Sequence, residues 1–274
     1  MGLLNNMDFG FYKYLRFLIG FVLLLYFSAQ LVAKESQEIR ILVDDDYPPY
    51  SYVENGKVKG VYIDFIRQVS RELAPNYHIR FLPLPWKRAL MLVEQGKEFA
   101  ILPPYRHTST RPFISHYSER IGLEEVVVLC HKNVRLGDYF SKSEVSKPLS
   151  LGINAGYILL NDAYQKAVTR GAILLESNKS TEHNVEKLLK RRIDCYINDK
   201  TSTLLVLKET MVQNDMPNND DFIVMETISS QSAHIGFSKE YVKHFADFDM
   251  FLTSLNGAIK QISNQQQPSL NNDD

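Results

Sequence analysis

Twice along this chain a strand pattern gives way to a helix pattern and then to a further strand, and this alternation limits the fold more than any other feature of the sequence. "IRILVDD" (39–45) reads as a buried strand, apolar residues at 62, 63, 66, 69 and 73 recur at helical spacing, and Pro75 stops that helix. "IRFLPL" (79–84) is a second strand. "PWKRALMLVEQG" (85–96) is a helix opened by Pro85 and closed by Gly96, and "EFAILP" (98–103) is a third strand. Such an order predicts a parallel sheet with helices on its faces. After the long strand pattern "GLEEVVVLCHKN" (122–133) the plan repeats: strand "KPLSLGINAG" (147–156), helix 160–170, strand "AILLES" (172–177), helix 181–192 capped by Ser180 or Thr181, and strand "DCYIND" (194–199). Two α/β units joined by an extended strand describe two lobes. A final strand, "SAHIGFS" (232–238), and a long helix pattern from Tyr241 to Ile262 return to cover the first lobe. The tail from 264 is polar apart from Leu270 and Pro268 and is expected to be disordered.

With 45% hydrophobic and 23% charged residues in 274, the chain has the composition of an ordinary globular protein. Its formal net charge of −1 gives no footprint for nucleic acid or an anionic membrane, so a small-molecule partner is expected. Lys13 and Arg16 precede "FLIGFVLLLYFSA", an apolar run with the length of a signal-peptide core and short for a membrane span. Residues 1–33 are therefore expected to be a signal peptide cleaved after Ala33, and 34–274 an exported, periplasmic protein; Leu31, large for the residue two before Ala33, keeps an uncleaved anchor as the alternative. Cys130 and Cys195 are too few for a disulfide framework and each lies in an apolar run, which favours two buried thiols over one bridge.

In open α/β sheets ligands gather beyond the carboxyl ends of strands. Three loops stand at such ends: the turn at 44–50, "PPYRHTSTR" after "EFAIL", and the segment at Asp199. The first of these sets three aspartates and two tyrosines beside two prolines, in "DDDYPPY".

At these residues the chain resembles the periplasmic solute-binding proteins of the polar amino-acid uptake family, family 3 of the bacterial extracellular binding proteins. The resemblance spans roughly 39–262 and rests on four motifs in order: "DDDYPPYSYVENGKVKGVYIDFI", "PWKRALMLVEQGKEFAIL", "HTSTR" and "KLLKRRIDCYINDK". It implies a type II binding-protein fold, α/β, with two lobes joined by two hinge strands at 119–124 and 226–234. Lobe 1 would comprise 34–123 and 230–263, and lobe 2 would comprise 124–229. It further implies that Arg111 pairs with a ligand α-carboxylate, that Asp199 takes an α-ammonium, that Tyr47 and Trp86 sandwich the ligand side chain, and that Asp44 meets basic side chains. A guanidinium fork suits a carboxylate because two parallel charge-assisted hydrogen bonds form. Asp199 also stands where it can cap a helix starting near Lys200.

The chain departs from the family at two places. Pro103, Pro104 and Arg106 replace small hydroxyl residues before the Thr-x-x-Arg motif, and prolines have no N–H to donate. Arg106 is a candidate replacement in the anionic site. Gly156, Tyr157 and Ile158 replace the second lobe's hydroxyl donors, which opens the ligand class to molecules other than standard α-amino acids and makes Tyr157 a candidate contact. Neither metal-ligand spacing nor a nucleophile elbow nor a phosphate loop occurs in the sequence, so no catalytic residue, metal or cofactor is expected. The resemblance implies a monomer that hands a small polar, amino-acid-like ligand to an inner-membrane ABC permease. Two alternatives stand beside this: a ligand-sensing protein for a signalling receptor, and a periplasmic cyclohexadienyl or arogenate-type dehydratase using Asp44, Asp199 or Glu124 as acid.

Overall fold

The computed structural model describes residues 36–141, 145–215 and 221–266. The expected signal peptide and most of the expected tail lie outside them. Among the described residues no helix is long and apolar enough to cross a membrane.

The first sheet is built around β1 (Gln37–Asp44), whose last four residues are buried on both faces. Helix α1 (Val61–Leu73) packs Tyr62, Ile63, Phe65, Ile66, Val69 and Leu73 inward. It begins at Gly60, where φ is +125° and a Cβ would lie 2.1 Å from the carbonyl oxygen of Tyr50, so no other residue fits there. It ends at Ala74, held extended by the following Pro75. Strand β5 (Tyr77–Leu84), helix α2 (Trp86–Glu94) and strand β6 (Ala100–Leu102) follow, with β1 and β6 parallel.

Between β1 and α1 the polar turn is itself a small antiparallel sheet of β2 (Asp46–Tyr47), β3 (Ser51–Glu54) and β4 (Lys57–Lys59), which the sequence pattern does not announce. Equally unannounced is β7 (Ile114–Tyr117) at the sheet edge. Completing the order β5-β1-β6-β13-β7 is β13 (Gly236–Ser238), antiparallel to both neighbours and drawn from far down the chain.

The second sheet runs β10-β9-β11-β8-β12. Its members are β8 (Gly122–His131), β9 (Leu149–Asn154), β10 (Ile173–Asn178), β11 (Cys195–Asp199) and β12 (Phe222–Ala233). The first three in spatial order are parallel, and β8 runs antiparallel to β11 and β12. A short helix α3 (Asp138–Ser141) precedes β9. Helices α4 (Asp162–Thr169), α5 (Thr181–Leu189) and α6 (Lys200–Gln213) are capped by the side chains of Asn161, Ser180 and Asp199.

Three expectations change. The strand expected at 232–238 is the end of β12 plus β13, because β12 begins at Phe222 and pairs with β8 over its length despite weak apolar alternation. The helix pattern from Tyr241 is broken: α7 (Lys239–Val242) and α8 (Phe248–Gln266) are separated by a turn in which Asp247 has φ +61°. α8 lays Phe251, Leu255, Ile259 and Ile262 into the same core as α1 and carries its last turn through 264–266, residues expected in the tail. Finally, Cys130 and Cys195 are not thiols but a disulfide. They face one another in register on antiparallel β8 and β11, with Cα atoms 4.1 Å apart, a juxtaposition of residues 65 apart that spacing alone does not reveal.

Candidate functional site

The turn after β1, the start of α2, the loop after β6 and the loop after β9 meet around one cavity of ≈ 320 Å³, including its part open to solvent. Its lining is Asp44, Tyr47, Trp86, Pro103, Tyr105, His107, Arg111, Tyr157, Ile158 and Leu159. Asp44, Tyr47, Trp86, Arg111 and Tyr157, all singled out from sequence, come together here. Arg106 and Asp199 do not join them.

Arg111 is 4% exposed, and its guanidinium carbon lies 5.6 Å from the centre of the Trp86 ring. Its guanidinium donates one hydrogen bond, to the carbonyl oxygen of Gly156 at 2.9 Å, and forms no ion pair among the described residues. Burial pulls its pKa down, with the Tyr117 and Tyr157 hydroxyls acting in the opposite sense. Trp86 Nε1 and His107 Nε2 are likewise buried without a hydrogen-bond partner. Burial and then the neighbouring Arg111 hold the His107 imidazole below its usual range.

Asp44, at the end of β1, accepts the Asp46 N–H at Oδ1 and the Tyr157 hydroxyl at Oδ2, both at 3.1 Å. Burial raises its pKa to about 7, against the pull of these two donors. Tyr157 crosses to it from the loop after β9, and its ring meets those of Tyr47 and Trp86 edge-on with centroids 5.8 and 6.1 Å away.

Beneath the cavity Glu124, 2% exposed on β8, accepts three tyrosine hydroxyls: Tyr47, Tyr62 at 2.8 Å and Tyr105 at 2.6 Å. Burial lifts this carboxyl to about 7, and the Tyr105, Tyr47 and Tyr62 donors restrain the rise while the charge of Asp199 adds to it. Tyr105 and His107 are the contributions of "PPYRHTSTR" that sequence reasoning missed. The intervening Arg106 points out to solvent, 5.9 Å over the Tyr117 ring. Tyr105 forms a β-bridge with Ala233, and neighbouring side chains of an extended segment alternate in direction, which is the signal that favours 105 and 107 over 106.

Asp199 is 1% exposed and lies off the cavity. Its Oδ1 accepts the Ser202 N–H at 2.8 Å, as the cap of α6, and the Tyr50 hydroxyl at 3.0 Å, while Oδ2 has no partner. Burial raises its pKa and these donors oppose the rise.

Solved structures with the same arrangement share the fold at low identity. A structure described for glutathione import via GshT in Streptococcus mutans aligns with a TM-score of 0.65 at 15% identity, over 84% of this chain and 91% of its own. A histidine kinase sensor domain with similarity to periplasmic binding proteins gives 0.64 at 12%, over 85% and 93%. The arginine-specific periplasmic binding protein of Salmonella typhimurium gives 0.61 at 17%, over 84% and 94%. No curated protein sequence matches the chain. The model of the bacterial extracellular solute-binding proteins, family 3, matches residues 39–267, and the chain, with its two lobes around one cavity, belongs to that family.

Proposed function

We propose that this protein captures a small carboxylate-bearing solute between its lobes in the periplasm and delivers it, as a monomer and without chemistry, to an inner-membrane ABC importer. The observation that carries this reading is Arg111. A guanidinium taken from water without an anionic partner is a costly arrangement, and a ligand carboxylate arriving in the cavity relieves it through two charge-assisted hydrogen bonds. Tyr47 and Trp86 would flank the body of the ligand, with Tyr157 closing over it from the second sheet. Segments 119–124 and 226–234 would serve as the hinges, so that a ligand touching both sides favours the closed form over an open one.

The similarity to a sensor domain fits a second role for the same capture, docking on a signalling receptor in place of a permease. Asp44 is the cavity carboxyl with a raised pKa, the property a dehydratase acid requires, so product formation is assayed beside binding.

The test is a thermal-shift screen of small carboxylates with Arg111→Ala alongside. A ligand at about a thousand times its dissociation constant adds roughly 4 kcal/mol and raises the melting temperature by several degrees. That shift is expected to vanish in Arg111→Ala. An equal shift in the variant would place the carboxylate elsewhere.

A further inference from the structure

The polar atoms left without partners around the cavity are unevenly divided between donors and acceptors. On the donor side stand the Arg111 guanidinium, with one hydrogen bond to Gly156 and no anion, and Trp86 Nε1, a group that only donates and has nothing to donate to. The two residues are in contact, the guanidinium carbon 5.6 Å from the indole centre. One anionic group placed between them satisfies both.

The acceptor side is weaker. The carboxyl that lines the cavity is Asp44, and each of its oxygens already accepts a hydrogen bond from the protein. Burial raises its pKa to about 7, which disfavours its charged form relative to an ordinary aspartate. Asp199, the residue expected to take an ammonium group, lies off the cavity, bound to Tyr50 and to the start of α6; its unpartnered Oδ2 is buried there too. Glu124 is occupied by three tyrosine hydroxyls. His107 Nε2 is a further unpartnered atom; burial and Arg111 lower the pKa of this imidazole, which offers at most a neutral acceptor and no negative charge. The remaining surface is rings and aliphatic groups: Tyr47, Tyr105, Tyr157, Ile158, Leu159 and Pro103.

We infer that the ligand is a monocarboxylate with an apolar or aromatic body and no ammonium group, its carboxylate held jointly by Arg111 and the Trp86 indole N–H. The inference rests on the reading of Arg111 as the carboxylate grip and adds the absence of the amine, the nature of the body and the second donor. An α-amino acid brought into this cavity surrenders the hydration of its ammonium group and meets only Asp44, whose oxygens already accept hydrogen bonds from the protein, and the uncharged His107 nitrogen in return.

Matched pairs that differ only in the amine test it by calorimetric titration of the purified protein: 3-phenylpropionate against phenylalanine, 4-methylpentanoate against leucine, and 3-(4-hydroxyphenyl)propionate against tyrosine. At least one of the three carboxylates is expected to bind, about ten-fold or more tighter than its amino partner. Trp86→Phe keeps a ring and removes the donor; it is expected to weaken that carboxylate about ten-fold, as for loss of a hydrogen bond to a charged group. Binding of none of the three carboxylates, or tighter binding of any amino partner, would overturn the class. Unchanged affinity in Trp86→Phe would remove the indole from the grip. If an amino acid binds and Arg111→Ala abolishes it, the carboxylate grip survives and the class alone is lost. If a carboxylate binds undiminished to Arg111→Ala, the underlying reading falls instead.

Discussion

Tyr105 donates its hydroxyl to Oε2 of Glu124 at 2.6 Å, and with Tyr47 and Tyr62 it encloses a carboxyl at the point where β8 leaves the first sheet's loops for the second sheet. Glu124 rises from an ordinary 4.5 to about 7, and Asp44, close by in the cavity, from 3.8 to about 7.

The folded protein therefore holds these two protons more tightly than the unfolded chain does. Their contribution to stability is fully present below about pH 4 and is lost as pH rises through 7. At 1.36 kcal/mol per pKa unit, Glu124 contributes on the order of 3 kcal/mol and Asp44 on the order of 4 kcal/mol of that decline. Glu124→Gln is expected to remove the Glu124 share of this decline, so that the difference in unfolding free energy between pH 5 and 8, measured by denaturant titration, shifts toward higher stability at pH 8 relative to the wild type. An identical pH profile in the variant would show that Glu124 does not hold the proton.

Arg111→Met separates grip from stability. Replacing a buried guanidinium that has no anionic partner by an apolar chain of similar length removes an uncompensated charge from the interior. The variant is expected to melt at or above the wild-type temperature without ligand and to gain nothing from any carboxylate. A drop of several degrees in the unliganded variant would mean that the contacts with Gly156 and Trp86 hold the fold together.

Asp199 acts first on α6. Asp199→Ala removes the acceptor of the Ser202 N–H and of the Tyr50 hydroxyl, and is expected to cost about 1–2 kcal/mol in denaturant unfolding. Asp199→Asn, also a good cap, is expected to recover most of that loss. Equal destabilisation by both would point to the carboxylate charge over the cap.

The Cys130–Cys195 bridge closes a loop between residues 65 apart, for which chain entropy gives about 4 kcal/mol. The Cys130→Ala/Cys195→Ala double variant is expected to lose stability of that order, and a change under about 1 kcal/mol would show that the bridge constrains little in the unfolded chain.

Much of this architecture was legible in local pattern, because α1, α2, α4 and α5 carry their apolar spacing and stop signals within themselves. β7 and β12 were not. Their residues, such as Ser115 and His116 in one and Ser229 to Ser232 in the other, become strands through partners distant in sequence. The same holds for the site. Asp44, Tyr47, Trp86, Arg111 and Tyr157 carried motif signals, whereas the attachment of Tyr62 and Tyr105 to Glu124 depends on contacts spanning 62 and 19 positions. The withdrawal of Asp199 behind Tyr50 spans 149. The disulfide was misjudged for a related reason, since apolar surroundings are shared by buried thiols and buried bridges and only register distinguishes them.

The place of β13 in the first sheet sets an order on how the chain can be completed. All five strands of the second sheet lie within 122–233, but the first sheet has a gap between β6 and β7 until residues 236–238 exist. Its core stays open until Phe251, Leu255 and Ile259 arrive to cover α1. A chain emerging from its amino end therefore finishes its second-made sheet first, while Ile63, Ile66 and Val69 wait uncovered for nearly two hundred residues of synthesis. A truncation between residues 233 and 236 leaves the second sheet whole and the first with an exposed apolar face, the kind of surface on which a holding chaperone acts and from which aggregation starts.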